Sequence, residues 1–371
     1  MINQIRLVEA FMQYVQISSP TKSEGAFANF IKVELEKLGL EVSIDDAGEK
    51  VGSDTGNVIA KLNGTCNGDP ILLSCHMDTV SPSIDIKPVI KDHVIYSDGT
   101  TILGADDKAG IAAIIEALTV IKENDIPHGP IEISLSIFEE GGLHGAKNLD
   151  FKKFESQSAF VLDSGGDPGQ IIIQGPAQDK IHARITGKSA HAGVCPEEGI
   201  SAIMVAANAI DQMKLLRIDS ETTANIGTIQ GGSVTNIVAS EVEILAEARS
   251  LNNDKLKAQS DHMKACFENA AAKFGAKVEV EINRMYNAFK VDATEDIVKI
   301  AEMACTNIGI KPFTAASGGG SDTNIFNANG IKAINLGIGE RKPHTLEEHI
   351  HIKDLVKVAE LVLEIIKLHG C

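Results

Sequence analysis

The chain has 371 residues, 43% of them hydrophobic and 23% charged, which supplies real cores, excludes wholesale disorder and favours two domains over one. A formal net charge of −17 opposes binding to nucleic acid or to an anionic lipid surface. No run reaches the roughly 18 apolar residues of a membrane-spanning helix, and the opening MINQIRLVEAFMQYVQI lacks the basic-then-apolar order of a secretion signal, so a cytoplasmic protein without membrane contact is expected.

Residues 24–38 predict the first amphipathic helix, with Phe27, Phe30, Ile31, Leu35 and Leu38 on one face and Gly39 as its stop. Short β-type runs follow at 42–44, 58–62 and 71–73; the last is wholly apolar, as in a strand covered on both faces. A buried helix is expected over 108–122, then strands over 131–138 and 159–162. Strands alternating with helices predict an α/β fold, a mostly parallel sheet layered by helices. Near residue 180 the pattern changes to strand, helix (196–213, opened by proline), strand (224–229), strand (241–248), helix (255–274) and strand (278–283). That order, β-α-β-β-α-β, is a compact ferredoxin-like α+β unit. The α/β pattern then resumes with a helix over 295–308, a strand over 333–336 and a helix over 353–368. The expectation is a discontinuous domain, 1–179 and 292–371, interrupted by an inserted domain, 180–291. Cys66, Cys75, Cys195, Cys266, Cys305 and Cys371 form no CxxC pair and predict free thiols in a reduced compartment.

Four clusters share one pattern, an apolar strand or helix end carrying acids or histidine. SCHMDT places His76 and Asp78 just past an apolar run; LGADDKAG opens a buried helix with Asp106 and Asp107; FEEGG ends a strand with Glu139 and Glu140; VLDSGG ends another with Asp163. Capping explains one aspartate at a helix start better than two. In an open α/β sheet these groups gather at the carboxyl edge. So many carboxylates repel unless cations neutralise them, and imidazole with carboxylate, without thiolate, suits zinc, cobalt or manganese. There is no GxSxG elbow and no GxxxxGK[ST] loop, which argues against a serine mechanism and nucleotide binding.

HMDT, LGADDKAG, EE, LD and SAHAG, in this order and spacing, resemble the M20 metallopeptidases, most closely the peptidase T-like branch of tripeptide aminopeptidases. The resemblance spans essentially the whole chain. It implies two divalent ions per chain, zinc first with cobalt or manganese as alternatives, held by His76, Asp106 as the bridging acid, Glu140, Asp163 and His344. It makes Glu139 the general base and Asp78 the group that orients His76, and it makes Asp106–Asp107 a candidate cis peptide. His344, followed by Glu347 and Glu348, fits the family's late motif, whereas His349 and His351 alternate as in a strand and read as structural. The inserted domain becomes a lid and dimerisation domain whose His191 reaches the partner subunit's site, and Arg249, Asn236 and Gly319 become substrate contacts. The implied activity is exopeptidase cleavage of short peptides, tripeptides from the amino end, by metal-activated water in a homodimer. The rival enzyme reading is an N-acyl-amino-acid amidohydrolase or carboxypeptidase of the same family. The rival from another class is a binding protein without catalysis; Glu139 and the complete ligand set favour the enzyme.

Overall fold

A computed structural model describes residues 1–370. The chain forms two compact units. One comprises Met1–Gln174, Lys290–Ser317 and the residues from Ser321 onward; the other comprises Gly175–Phe289 with Gly318–Gly320.

The first unit is built on a mixed sheet. Its strand order is Glu41–Ile44, Val58–Leu62, Ile131–Ser136, Ile71–His76, Ser158–Ser164, Lys332–Gly337 and Gln170–Gly175. The four inner strands, from Ile131–Ser136 to Lys332–Gly337, are mutually parallel, and their outer neighbours run antiparallel to them. Ile71–His76 and Ile131–Ser136 are buried at every position, as strands covered on both faces must be. Register sets His76 beside Ser136 and Gly337 beside Ser164, so the parallel strands end along one edge.

The helix Ala105–Glu123 is buried over most of its length, and it packs on the Ile71–His76 and Ser158–Ser164 strands. Gly110 permits that approach: a Cβ there would lie 2.6 Å from the Leu162 carbonyl oxygen and 2.7 Å from Cys75 Sγ. The helix Gln4–Gln16, which the sequence reading did not assign, is capped by the Asn3 side chain. It is tied to the buried helix by Arg6, whose Nε donates to Glu116 at 2.6 Å. A small antiparallel sheet of Glu340–Arg341, His349–His351, Val94–Tyr96 and Val89–Lys91 completes the unit. In it His349 stacks on Tyr96 at 5.1 Å.

The second unit has one antiparallel sheet in the order Leu216–Arg217, Thr222–Gly231, Glu241–Ser250, Ala177–Thr186 and Lys277–Tyr286. Burial alternates along Glu241–Ser250, and Val242 and Ile244 join Ile181, Ile185, Leu256, Met263 and Phe267 in a single core beneath the helices Ala202–Asp211 and Asn253–Phe274. The order is β-α-β-β-α-β, a ferredoxin-like layer.

Three expectations need correction. The helix expected over 196–213 is a 3-10 turn, Pro196–Glu198, followed by the helix Ala202–Asp211. Gly199 is extended between them, and Ser201 Oγ accepts from the Met204 N–H to begin the helix anew. The strand expected over 131–138 stops at Ser136, because Phe138 takes a left-handed φ of 47°. Cys75, Cys195, Cys266 and Cys305 are free thiols, but Cys66 is disulfide-bonded; spatial approach rather than composition decides pairing. Cys371 lies outside the described residues. Among the described residues, no helix is long and apolar enough to cross a membrane.

Gly110→Ala tests the close approach of helix to sheet. The added methyl must push on a carbonyl and a buried sulfur, so urea denaturation is expected to show a loss of about 1–3 kcal/mol.

Candidate metal centre

His76 is the last residue of its strand and is buried. Its Nδ1 lies 2.9 Å from the Asp78 carbonyl oxygen, which can only accept, so Nδ1 carries a proton. Nε2 is thereby aimed at Asp106 Oδ1, 2.9 Å away, with Asp163 Oδ1 at 3.7 Å. The other oxygen of Asp106, Oδ2, is 3.1 Å from His344 Nε2, and that nitrogen is 2.9 Å from Glu140 Oε1. Asp106 therefore stands between the two imidazoles. The Asp106–Asp107 peptide is cis.

Side-chain acceptors hold the turn that carries Glu139 and Glu140. Asn57 Oδ1 accepts from the Ile137 N–H at 3.1 Å, and Glu24 Oε1 accepts from the Phe138 N–H at 3.0 Å. Asp78 Oδ1 accepts from the Glu139 N–H at 2.8 Å, and its Oδ2 accepts from the Glu140 N–H at 3.3 Å and from the Thr21 hydroxyl at 2.8 Å. Asp78 thus touches His76 through its carbonyl and the Glu139–Glu140 turn through its carboxylate. Asp163 sits within its strand, where Asn335 clamps both its N–H and its carbonyl, at 3.0 and 3.1 Å. Asp107 turns the other way from Asp106: its Oδ2 accepts from the His76 N–H at 3.1 Å.

Two groups of side chains have ligand atoms within 4.8 Å of one another: His76, Asp106 and Glu140, and His76, Asp107 and Asp163. The donors are imidazole nitrogen and carboxylate oxygen, a set that fits zinc, cobalt or manganese. Asp107 Oδ1 is a buried oxygen that receives no hydrogen bond, and Glu140 Oε1 meets only the His344 imidazole.

The electrostatics follow from burial and crowding. Burial pushes the Glu139 carboxyl well above the usual range, reinforced by the charge of Asp163, and does the same at Asp163; burial also raises Glu140, against the opposing hydrogen bond from His344. Burial would also raise Asp106, but hydrogen bonds from His344 and His76 hold it below the ordinary value. The Asp106 and Glu140 carboxylates in turn push His344 up to about 10.

His191, Asn236, Arg249 and Gly319 belong to the other unit. His191 is exposed and forms an isolated antiparallel bridge with Ile237; the Ala192 N–H donates to the Asn236 carbonyl at 2.9 Å. Arg249 is half-buried, its Nε donating to Glu247 at 2.9 Å. Gly319 lies in the exposed stretch beside Gly320, where a Cβ would meet the Tyr286 ring at 2.2 Å.

Sequence reasoning passed over four buried acids. Glu348 accepts from four backbone N–H groups of residues 103–106. Asp322 accepts from the Ser136 hydroxyl at 2.5 Å and is pushed up to about 6 by burial. Glu340 is raised well above the usual range by burial, then by the charge of Asp106. Asp107 was seen but set aside. Their only sequence signals were the second glutamate after His344, the acid ending SGGGSD, the glutamate of GIGER and the doubled aspartate.

The model of peptidase family M20/M25/M40 matches residues 72–368. The uncharacterized protein YqjE of Bacillus subtilis is 48% identical over 367 residues, 99% of each chain. Among solved structures, aminopeptidase PepT of Bacillus cereus is 48% identical with a TM-score of 0.92, covering 99% of each chain. A tripeptidase of Staphylococcus aureus is 46% identical with a TM-score of 0.96, covering 99% of this chain and 98% of that one.

Crowded, buried acids cost stability, which gives a test independent of activity. In chelator-treated protein at neutral pH, Asp163→Asn is expected to melt higher than the unaltered chain by about 2 °C or more, since it removes a carboxylate that burial disfavours. Differential scanning calorimetry of the two proteins reads this directly; a lower Tm contradicts it.

Proposed function

The chain belongs to peptidase family M20/M25/M40, and from that premise we propose a two-metal exopeptidase that removes the amino-terminal residue from short peptides, tripeptides foremost. The observation that carries the metal reading is Asp106, with one carboxylate oxygen facing each histidine. The choice of peptides is supported by the likeness to an aminopeptidase and a tripeptidase at 48% and 46% identity.

His76, Asp106 and Asp163 would hold one divalent ion and His344, Glu140 and Asp106 the other, zinc or, on the same donor chemistry, cobalt or manganese. When bound, such ions supply Lewis acidity for the scissile carbonyl and for the attacking water. Glu139 is the general base: it takes a proton from the water and returns one to the leaving amine. Asp78 fixes the tautomer of His76 and the main chain of Glu139 and Glu140 together. Arg249 suits the substrate carboxylate because its planar fork pairs bidentately; Asn236 and the backbone at Gly319 are further substrate contacts. The inserted unit serves as lid and dimerisation domain, and His191 enters the partner subunit's site to help hold the developing oxyanion. The protein works in the cytoplasm.

Zinc- or cobalt-loaded protein is expected to carry about two ions per chain, to cleave free tripeptides and to spare their N-acetylated forms. Glu139→Gln is expected to keep both ions and lose turnover by about 10²–10⁴. Metal near zero with activity surviving a chelator defeats the metal reading; turnover near that of the unaltered chain in Glu139→Gln defeats the base. Cleavage of the N-acetylated peptides alone moves the activity to the amidohydrolases.

Subunit complementation checks the dimer. Inactive His191→Ala and inactive Glu139→Gln are mixed under conditions of proven exchange. If His191 acts in the partner's site, mixed dimers contain one intact site and activity returns. With exchange verified and no activity recovered, His191 has no role across the interface.

A further inference from the structure

Glu348 is 1% exposed, yet both its oxygens are occupied. Oε2 accepts from the N–H groups of Leu103 and Gly104, each at 2.9 Å; Oε1 accepts from those of Ala105 and Asp106, at 2.6 and 3.2 Å. The N–H groups that lead into a helix have no partners within it, and here the lead-in is long, because Asp106 and Asp107 are still non-helical. A side-chain cap ordinarily satisfies one or two of them from an adjacent residue. Here a single carboxylate, 242 residues away from Asp106 in sequence, takes all four. Gly104 makes this geometry available: its φ of 73° turns consecutive N–H groups toward one point, and residues with side chains rarely adopt that conformation.

The other end of Glu348 is anchored to the loop of His344. The Glu348 N–H donates to the Thr345 carbonyl at 3.1 Å, closing a turn over Thr345–Glu348 that directly follows His344, whose φ of 62° is left-handed. Within five residues, then, the chain reaches Asp106 twice: Glu348 holds its main-chain N–H, and His344 Nε2 meets its Oδ2 at 3.1 Å. The neighbouring Glu347 does neither; it is exposed and pairs with Lys342 at the surface.

We propose that Glu348 is a positioning residue of the metal centre, a carboxylate that fixes the main chain of residues 103–106 to the His344 loop and so sets the spacing between Asp106 and His344 that a cation requires. The inference rests on the two-metal reading above. A carboxylate is needed because all four partners are donors. Glutamine offers one oxygen to two of them and turns its own N–H groups toward the other two. Aspartate keeps the charge but falls one methylene short.

The test is zinc affinity of the purified full-length protein, measured against a competing chromophoric chelator, with cobalt(II) absorption as a readout of ligand geometry and thermal melting of the metal-free form as a readout of fold. The unaltered chain must first bind zinc; if it does not, the two-metal reading fails and not the role of Glu348 within it. Given zinc binding, Glu348→Gln is expected to weaken it about 10–100-fold, to alter the cobalt spectrum and to recover kcat as free zinc is raised, with KM unchanged. Glu347→Gln is expected to change none of these. A Glu348→Gln protein with a lowered melting temperature but unaltered zinc affinity and cobalt spectrum overturns the proposal, since Glu348 is then only a helix cap. If that variant does not fold, Glu348→Asp is read by the same measurements. Failure of both to fold also overturns it, because the residue then belongs to the fold and not to the site.

Discussion

Asp106 presents one carboxylate oxygen to His76 and the other to His344, and the centre depends on keeping it there. Such a carboxylate cannot be left to a flexible loop. Its desolvation is offset only while both imidazoles stay within hydrogen-bond distance. The sheet supplies His76 as a strand terminus, the non-helical lead-in to the buried helix supplies Asp106, and Gly110 lets that helix lie against the strand that bears His76. Packing at Gly110 and chemistry at Asp106 are thus two ends of one contact, four residues apart in sequence.

The support given to each acid or histidine grows with its distance from regular structure. His76 and Asp163 lie within strands, where the ladder already fixes the chain, and each needs only one neighbour more: Asp107 on the N–H of His76, Asn335 on the main chain of Asp163. Glu139 and Glu140 lie beyond the end of their strand, after a phenylalanine with positive φ. Three side chains, Asn57, Glu24 and Asp78, take four consecutive N–H groups there. Residues 103–106 precede regular helix, and Glu348 alone takes four. Turns at sheet ends have N–H groups that no ladder satisfies, and buried backbone donors require acceptors. Carboxylates serve well because each offers two oxygens and no competing donor.

The sequence made the strands and helices legible where periodicity was strong. The wholly apolar run at 71–73, the helix at 108–122 and the β-α-β-β-α-β order from residue 180 all correspond to elements of the structure. It misplaced boundaries where one residue's backbone overrides its propensity: Phe138, apolar and aromatic, reads as strand but turns left-handed, and Gly199 interrupts a helix that composition would continue. His76, Asp106, Glu140, Asp163 and His344 could be named because motif order singles them out, and His76, Asp106, Glu140 and His344 lie within direct reach of one another in the chain described above. Glu24 and Asp322 could not, and the place of Glu348 after His344 gave no hint of what it holds, because each acts on partners distant in sequence. An acid that caps a backbone segment 242 residues away leaves no local signature.

Hydrogen-bond occupancy sorts the buried acids that residue type alone leaves alike. Glu348, Asp78 and Glu24 have both oxygens engaged by N–H or hydroxyl donors and serve as framework, although burial still pushes Glu348 up to about 7 and raises Glu24. Asp107, Asp322 and Glu340 each keep one buried oxygen without a hydrogen bond, and burial raises the pKa of every one. A buried carboxylate oxygen without a donor is costly unless it is protonated or meets a cation. Oxygens of that kind collected beside two imidazoles form a site whose instability a bound cation would relieve. The framework acids make that arrangement tolerable, because they hold the crowded carboxylates in place through their main chain and leave the side chains open.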